Sequence, residues 1–109
     1  VKEYLNRRCQ QEGSTLQGRR EAFAQLMNAR KHIPVLTSVR RGEIFMPFGK
    51  MDDPHTIWIN LRAVQYYKAE GDGTRIYFIN GESLLLDYRQ PIVKRQIERS
   101  QLYITLIGE

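Results

Sequence analysis

The spacing of hydrophobic and polar residues changes near Ile33, and this change divides the chain into two patterns. Before it, two segments place apolar residues at helical intervals: Tyr4, Leu5 and Cys9 in the first, and Phe23, Leu26 and Met27 in the second. Gly13 ends the first segment, and Ser14 and Thr15 are residues that favour the N-cap of the second. The pattern predicts a first helix or extended lead-in over residues 3–12, and a helix over about residues 19–28.

From Ile33 onward, β-branched and aromatic residues come in short runs bounded by turn residues, which is typical of β-strands. The runs are IPVLTSV, EIFMPF, HTIWIN, VQYYKAE, TRIYFIN and ESLLLDY. Asn80-Gly81 is a strong hairpin signal, and Arg41-Gly42 and Gly71-Asp72-Gly73 also favour tight reversals. Consecutive hairpins predict an antiparallel β-meander, or a small barrel, of about five to six strands.

A last helix is expected from Pro91, a residue that suits the first turn of a helix. Its inward positions are Ile92, Val93, Ile97 and Ser100, and its outward positions are Lys94, Arg95, Glu98 and Arg99. The ending LYITLIG either prolongs this helix or forms a final strand. The predicted class is α+β, with an N-terminal helix and a C-terminal helix packed on the sheet.

Length and composition fit one folded domain over residues 1–109. The chain has 109 residues, of which 41% are hydrophobic and 27% charged, so it has enough apolar content to form a core. No apolar run approaches the roughly 20 residues that cross a bilayer, and no secretion signal is recognisable. We therefore expect a cytoplasmic protein without membrane contact.

The chain offers few groups for catalysis or metal binding. Cys9 is the single cysteine, and His32 and His55 are far apart, so no metal-ligand spacing occurs. Neither histidine lies in a recognisable motif with a serine or an acidic residue. We expect no enzyme activity, no metal and no cofactor, and we expect Cys9 to be a small buried residue on a helix face.

The positive charge is concentrated in the first half of the chain. The net charge is +5, of which residues 1–50 contribute +6 and residues 51–109 contribute −1. Paired basic residues occur at Arg7-Arg8, Arg19-Arg20, Arg30-Lys31 and Arg40-Arg41. Such a half can attract a polyanion, of which nucleic acid is the obvious one, or its charges can form solvated faces. Charge alone leaves both alternatives open, although for Arg40 and Arg41 the solvated turn is favoured.

Several short motifs follow one another in order along the chain. They are CQQEGSTLQGR over Cys9–Arg19, KHIP over Lys31–Pro34, IFMP over Ile44–Pro47, PHTIWI over Pro54–Ile59, TRIYFING over Thr74–Gly81, and QIERSQL over Gln96–Leu102. Their order and spacing resemble the ComK family, the competence transcription factors of Gram-positive bacteria. One departure is the order Lys31-His32, where the family usually has the histidine first.

The resemblance implies a DNA-binding transcriptional activator. It would recognise paired A/T-rich boxes in duplex DNA, through the minor groove, as a homodimer or a higher homo-oligomer. An A/T-rich minor groove is narrow and has an enhanced negative potential, which favours an inserted arginine.

The first candidate DNA-binding residues are Gly18, Arg19 and Arg20, because the family signature ends at Gly18-Arg19 and a glycine lets the backbone approach a groove wall closely. The second candidates are Arg30, Lys31 and His32. A solvated helix face is the alternative for Arg19 and Arg20.

Two other functions compete with duplex binding. The first is a non-enzymatic protein-interaction module that pairs with, or modulates, a related regulator through an exposed sheet edge or aromatic strand. The second is single-stranded nucleic acid binding, which needs aromatic and basic side chains on one face. The residues that hint at it are Tyr66, Lys68, Arg75 and Tyr77.

Two aromatic sites allow alternative roles. Trp58 lies between two isoleucines and is either a core residue, which is favoured, or a wedge between bases. Tyr66 and Tyr67 are adjacent in a predicted strand, so their side chains point to opposite faces. One of them is therefore expected in the core, and the exposed one is a candidate for a dimer contact.

Overall fold

A computed structural model describes residues 1–108 of the chain. Its helices and strands are α1 (Lys2–Gln11), α2 (Leu16–Met27), β1 (Val35–Ser38), β2 (Glu43–Phe48), β3 (Ile57–Asn60), β4 (Val64–Glu70), β5 (Gly73–Phe78), β6 (Ser83–Leu86) and α3 (Gln90–Ile107). The α+β class is confirmed. The first segment is a helix, and the ending LYITLIG continues α3.

The six strands form two antiparallel sheets of three strands each, in the orders β1-β2-β3 and β4-β5-β6. The expectation of one continuous meander or barrel is therefore wrong. A short 3-10 turn at Leu61–Ala63 separates β3 from β4. The Asn60 side chain stabilises this turn by accepting a hydrogen bond from the Arg62 backbone N–H at 3.0 Å. The turn redirects the chain, so β4 pairs with β5 and not with β3.

Within each sheet the strands connect by hairpins, as the turn residues predict. In the second sheet the register brings Tyr66 opposite Tyr77 and Glu70 opposite Gly73. Gly81 closes the next hairpin with φ of 92°, a left-handed conformation that glycine adopts without strain.

The main core joins both sheets to α3. It contains Met46, Phe48 and Ile59 from the first sheet, Ile76 and Leu86 from the second, and Val93 and Ile97 from α3. A second cluster packs α2 and the end of α3 on the first sheet through Phe23, Ile33, Leu36, Ile44 and Tyr103. A third packs α1 and the start of α2 on β1 through Leu5, Cys9, Leu16 and Val35.

Burial confirms several single predictions and corrects two. Cys9 is fully buried. Trp58 is partly buried and packs against the third cluster, which contains Cys9. Tyr67 packs against the main core, whereas Tyr66 is exposed. The predicted inward positions Leu26 and Ile92 are wrong, because their side chains are 54% and 52% exposed.

Both corrections have the same physical cause. Helix α2 contacts the core through one narrow stripe centred on Phe23, and α3 turns Gln96, rather than Ile92, inward. Over residues 1–108, no helix has the length and apolar content to cross a membrane.

Candidate nucleic-acid interface

Gly18 lies in the first turn of α2, inside the N-terminal cap of that helix. Thr15 is the N-cap residue, and its Oγ1 accepts a hydrogen bond from the Gly18 backbone N–H at 3.0 Å. A Cβ atom at position 18 would lie 3.1 Å from Thr15 Oγ1, which is a tight contact. The glycine therefore fits the cap itself, and α2 begins at Leu16, three residues before the predicted start.

The next two residues are both partly exposed but have different neighbours. The charge of Arg19 acts on the buried side chains of Cys9 and Tyr103, whereas Arg20 lines a surface depression beside Glu3 and Asp52. Burial raises the pKa of both Cys9 and Tyr103, and the positive charge of Arg19 partly offsets this effect. Arg19 is not among the residues that line the depression beside Arg20.

The second group of candidates lies in the loop between α2 and β1. Helix α2 ends at Met27, and its C-cap residue Asn28 has a left-handed backbone with φ of 51°. His32 is also left-handed, with φ of 52°. His32 Nδ1 also lies 3.0 Å from the Gly49 carbonyl oxygen. These two left-handed residues fold the loop against β2, and they leave the side chains of Arg30 and Lys31 exposed.

Helix α3 fixes this loop through Gln96 and Arg99. The buried Gln96 donates from Nε2 to the carbonyl oxygens of His32 at 3.0 Å and Pro47 at 2.9 Å. Arg99 donates from Nε to Gln96 Oε1 at 2.6 Å, and from Nη2 to the carbonyl oxygens of Lys31, at 3.1 Å, and His32. The loop is therefore tied to both β2 and α3.

These elements line an open pocket of about 530 Å³, which we call the basic pocket. Its polar lining includes Arg30, Lys31, His32, Arg95, Gln96 and Arg99, and its apolar lining includes Phe48, Tyr88 and Ile92. No aspartate or glutamate is among its lining residues. The pocket brings all three second candidates together with two arginines of α3.

The sequence pattern predicts Arg95 and Arg99 on the outward face of the last helix, and neither is among the candidate DNA-binding residues. Their i, i+4 spacing puts both on one helix face, and this spacing was the available signal. Burial lowers the pKa of Arg99, and the positive charge of Arg95 lowers it further. Neither Arg95 nor Arg99 forms an ion pair with a carboxylate within residues 1–108.

An aromatic pair, Phe23 and Tyr103, lies near Arg99 and is affected by the charge of Arg19. The rings of Phe23 and Tyr103 pack with their centroids 4.6 Å apart, and the Arg99 guanidinium lies 5.6 Å from the Phe23 centroid. Arg19 is close enough to Tyr103 to act on its hydroxyl group. Arg99 therefore packs at the contact between α2 and α3.

Other cations of the first half are paired with acidic residues. Arg8 Nη2 lies 2.8 Å from Glu43 Oε1, and Arg40 Nη2 lies 3.9 Å from Glu12 Oε2. Of the ion pairs found within residues 1–108, none involves a residue of the basic pocket. The uncompensated charge is thus greater at the pocket than at the β1–β2 turn.

The four residues suggested for single-stranded nucleic acid lie on one face of the second sheet. The rings of Tyr66 and Tyr77 stack with centroids 4.4 Å apart, and Lys68 Nζ lies 5.9 Å from the Tyr77 centroid. Arg75, however, donates to both carboxylate oxygens of Glu70, at 2.9 and 2.8 Å. This face therefore has one unpaired cation fewer than its sequence suggests, because Glu70 balances the charge of Arg75.

Comparisons with known proteins add the family. Neither the curated proteins nor the solved structures gave a match to this chain. A family model described as ComK protein matches residues 1–109, which is the whole chain. The chain therefore belongs to the ComK family, a family of competence transcription factors and not of enzymes.

Proposed function

We propose that this chain is a transcriptional activator that binds A/T-rich boxes in duplex DNA through the minor groove. Membership of the ComK family supports a role in transcription regulation. The observation that supports DNA contact is the basic pocket, whose cations have no carboxylate among the lining residues. A surface with this uncompensated charge attracts the phosphate backbone.

The exposed loop before β1 provides the groove contact in this proposal. Arg30 and Lys31 are exposed at the rim of the basic pocket. The narrow minor groove of A/T-rich DNA favours such cationic side chains because its negative potential is enhanced. His32 holds the loop in place through its contact with Gly49.

The first turn of α2 provides the backbone contacts. Gly18 is exposed there, and Arg19 and Arg20 are partly exposed. Phosphate contacts fix the register of a protein on a duplex and do not require one continuous side-chain surface. We therefore retain Gly18, Arg19 and Arg20 as candidate DNA-binding residues, beside Arg30, Lys31 and His32.

Paired A/T boxes require two binding units, so the proposal includes a homodimer or higher homo-oligomer. The exposed face of the second sheet supports such an interface, because Tyr66 and Leu85 are both about half exposed there. A regulator of this kind works where the DNA is, so we place it in the cytoplasm of a bacterial cell.

The direct test measures binding to matched A/T-rich and G/C-rich duplexes by fluorescence anisotropy at several salt concentrations. We expect tighter binding to the A/T-rich duplex and an affinity that falls with salt. Replacing Arg30 and Lys31 together with alanine should weaken binding and reduce the salt slope by about one unit for each phosphate contact that is lost. The same result is expected when Arg19 and Arg20 are replaced together.

The matched control is the double replacement of Arg40 and Arg41 with alanine, which removes the same charge at the β1–β2 turn. It should change neither the A/T preference nor the salt slope. Equal affinity for both duplexes with a flat salt response would refute the proposal. DNA binding that appears only with a related regulator present would instead favour the protein-interaction module.

A further inference from the structure

The basic pocket has apolar as well as cationic lining residues. Phe48, Tyr88 and Ile92 line it, and the rings of Phe48 and Tyr88 pack with centroids 5.7 Å apart. Its volume of about 530 Å³ lies within the range of small-molecule sites. An apolar wall beside a charged one suits a ligand that has both a flat ring and an anionic group.

The charged wall is held in a fixed position. Arg99 donates hydrogen bonds from Nε to Gln96 and from Nη2 to the carbonyl oxygens of Lys31 and His32, and these bonds fix its position. No hydrogen bond within residues 1–108 uses Nη1. Arg95 precedes it by one helical turn on α3 and also lines the pocket. Neither arginine forms an ion pair within residues 1–108, and the two positive charges repel each other, a cost that a bound anion would reduce.

We propose that the basic pocket binds a phosphorylated small molecule of the nucleotide class. Arg95 and Arg99 hold its phosphate groups, with Lys31 at the rim, and its planar ring packs against Tyr88 and Phe48. A phosphate chain suits this site better than a single carboxylate does, because two arginines and a lysine match a group that carries several negative charges.

A ligand bound in the basic pocket would regulate DNA binding, because it would occupy cations that the DNA also contacts. Arg30 and Lys31 line the same pocket and are also the proposed groove contacts. A ligand phosphate at the rim competes with the minor groove of the DNA for these cations. The binding of the small molecule itself does not rest on the proposed DNA function, so it is measured without DNA.

The test is isothermal titration calorimetry of the full chain with ADP, adenosine and inorganic pyrophosphate. ADP should bind saturably at one site per chain. Adenosine lacks the phosphates and pyrophosphate lacks the ring, so each should bind at least about tenfold more weakly than ADP. If ADP binds no better than pyrophosphate, the apolar wall has no part in binding and the proposal fails.

Variants locate the site. Arg95→Gln and Arg99→Gln should each weaken ADP binding about tenfold or more. Arg95 is exposed and forms no hydrogen bond within residues 1–108, so its replacement keeps the test valid even if Arg99→Gln alters the loop. Tyr88→Leu should weaken ADP binding while leaving pyrophosphate binding unchanged.

Lys94→Gln is the matched control, because Lys94 is an exposed cation of the same helix that does not line the pocket. It should leave ADP binding unchanged, and a loss equal to that of Arg95→Gln would overturn the proposal.

A final experiment distinguishes a small-molecule phosphate from the DNA backbone as the ligand of the pocket. If ADP does not bind but Arg95→Gln weakens duplex DNA binding, the pocket serves the DNA backbone. This outcome overturns the small-molecule site and leaves the proposed DNA function intact.

Discussion

At the scale of single residues, the Glu43 carboxylate joins α1 to the first sheet. Its Oε1 accepts hydrogen bonds from Thr37 Oγ1 at 2.6 Å and from Arg8 Nη2 at 2.8 Å. Burial raises the pKa of Glu43, but these hydrogen bonds and the charge of Arg8 outweigh it, so the pKa lies below its usual value. The stability that follows is present above the pKa of an unfolded glutamate, about 4.3, and is lost as the pH falls through the folded-state pKa.

We expect Glu43→Gln to lower the free energy of unfolding at neutral pH by about 1–3 kcal/mol, because the Arg8 guanidinium loses a charged acceptor. The difference from the parent should shrink as the pH falls from the pKa of an unfolded glutamate through the lower folded-state pKa, because the parent carboxylate then becomes protonated too. Urea unfolding, followed by Trp58 fluorescence at several pH values, measures both effects.

Glu70→Gln is the control for this experiment. Glu70 also pairs with an arginine, at 2.8 Å from Arg75, but it lies in an exposed hairpin. Solvent screens this pair, so its removal should cost less than that of Glu43. An equal cost in the two variants would show that partial burial does not strengthen the Glu43 network.

At the scale of elements, the start of α2 shows how a cap overrides an unfavourable residue. Gly18 lowers helix propensity, which is why the sequence predicts a later start. The hydrogen bond from the Gly18 backbone N–H to Thr15 Oγ1 satisfies one of the free donors of the first turn. The helix therefore includes the glycine and orients the two arginines that follow it.

We expect Thr15→Ala to lower the free energy of unfolding by about 0.5–2 kcal/mol, because the first turn of α2 loses its side-chain acceptor. Ser14→Ala is the matched control, since within residues 1–108 the Ser14 hydroxyl accepts no hydrogen bond from the helix. Thermal unfolding followed by circular dichroism compares the two. Similar midpoints for both variants would contradict the assignment of Thr15 as the cap.

The division into two sheets also belongs to the scale of elements. The residues of β3 and β4 both favour strands, so sequence patterns connect them into one meander. The 3-10 turn at Leu61–Ala63 separates them, and its residues give no strong turn signal. The position of this turn depends on the Asn60 side chain and on the packing of Leu61 against the cores of both sheets.

At the scale of the whole molecule, α3 holds the two sheets together. Val93 and Ile97 lie in the core cluster that contains side chains of both sheets, while Gln96 and Arg99 bind the loop before β1. A single helix therefore stabilises the core and forms one wall of the basic pocket. Because the sheets share this cluster, we expect them to unfold together.

We expect Ile97→Ala to lower the free energy of unfolding by about 2–5 kcal/mol, because it leaves a cavity where both sheets meet. Trp58 fluorescence reports on the first sheet, and far-ultraviolet circular dichroism reports on the whole chain. The two transitions should still coincide. Leu102→Ala, at a half-exposed site of the same helix, should have little effect. Separate transitions for the two probes would show that the sheets are independent.

The sequence by itself determined the α+β class, the hairpins within each sheet and the burial of Cys9. These features depend on local periodicity, turn residues and side-chain size, which a linear pattern contains. The ordered motifs also indicated the ComK family, and the family model confirms it. The sequence implies that Arg30, Lys31 and His32 lie close together, because the three are neighbours in the chain. It does not predict the pocket that they line.

Only the tertiary structure decided how distant charges meet. Arg95 and Arg99 join the loop before β1 because α3 packs across both sheets, a contact between residues more than sixty positions apart. The different neighbours of Arg19 and Arg20 also depend on how α2 packs in the folded chain. Long-range packing, and not local propensity, determines which cations lack a carboxylate, and so where an anion can bind.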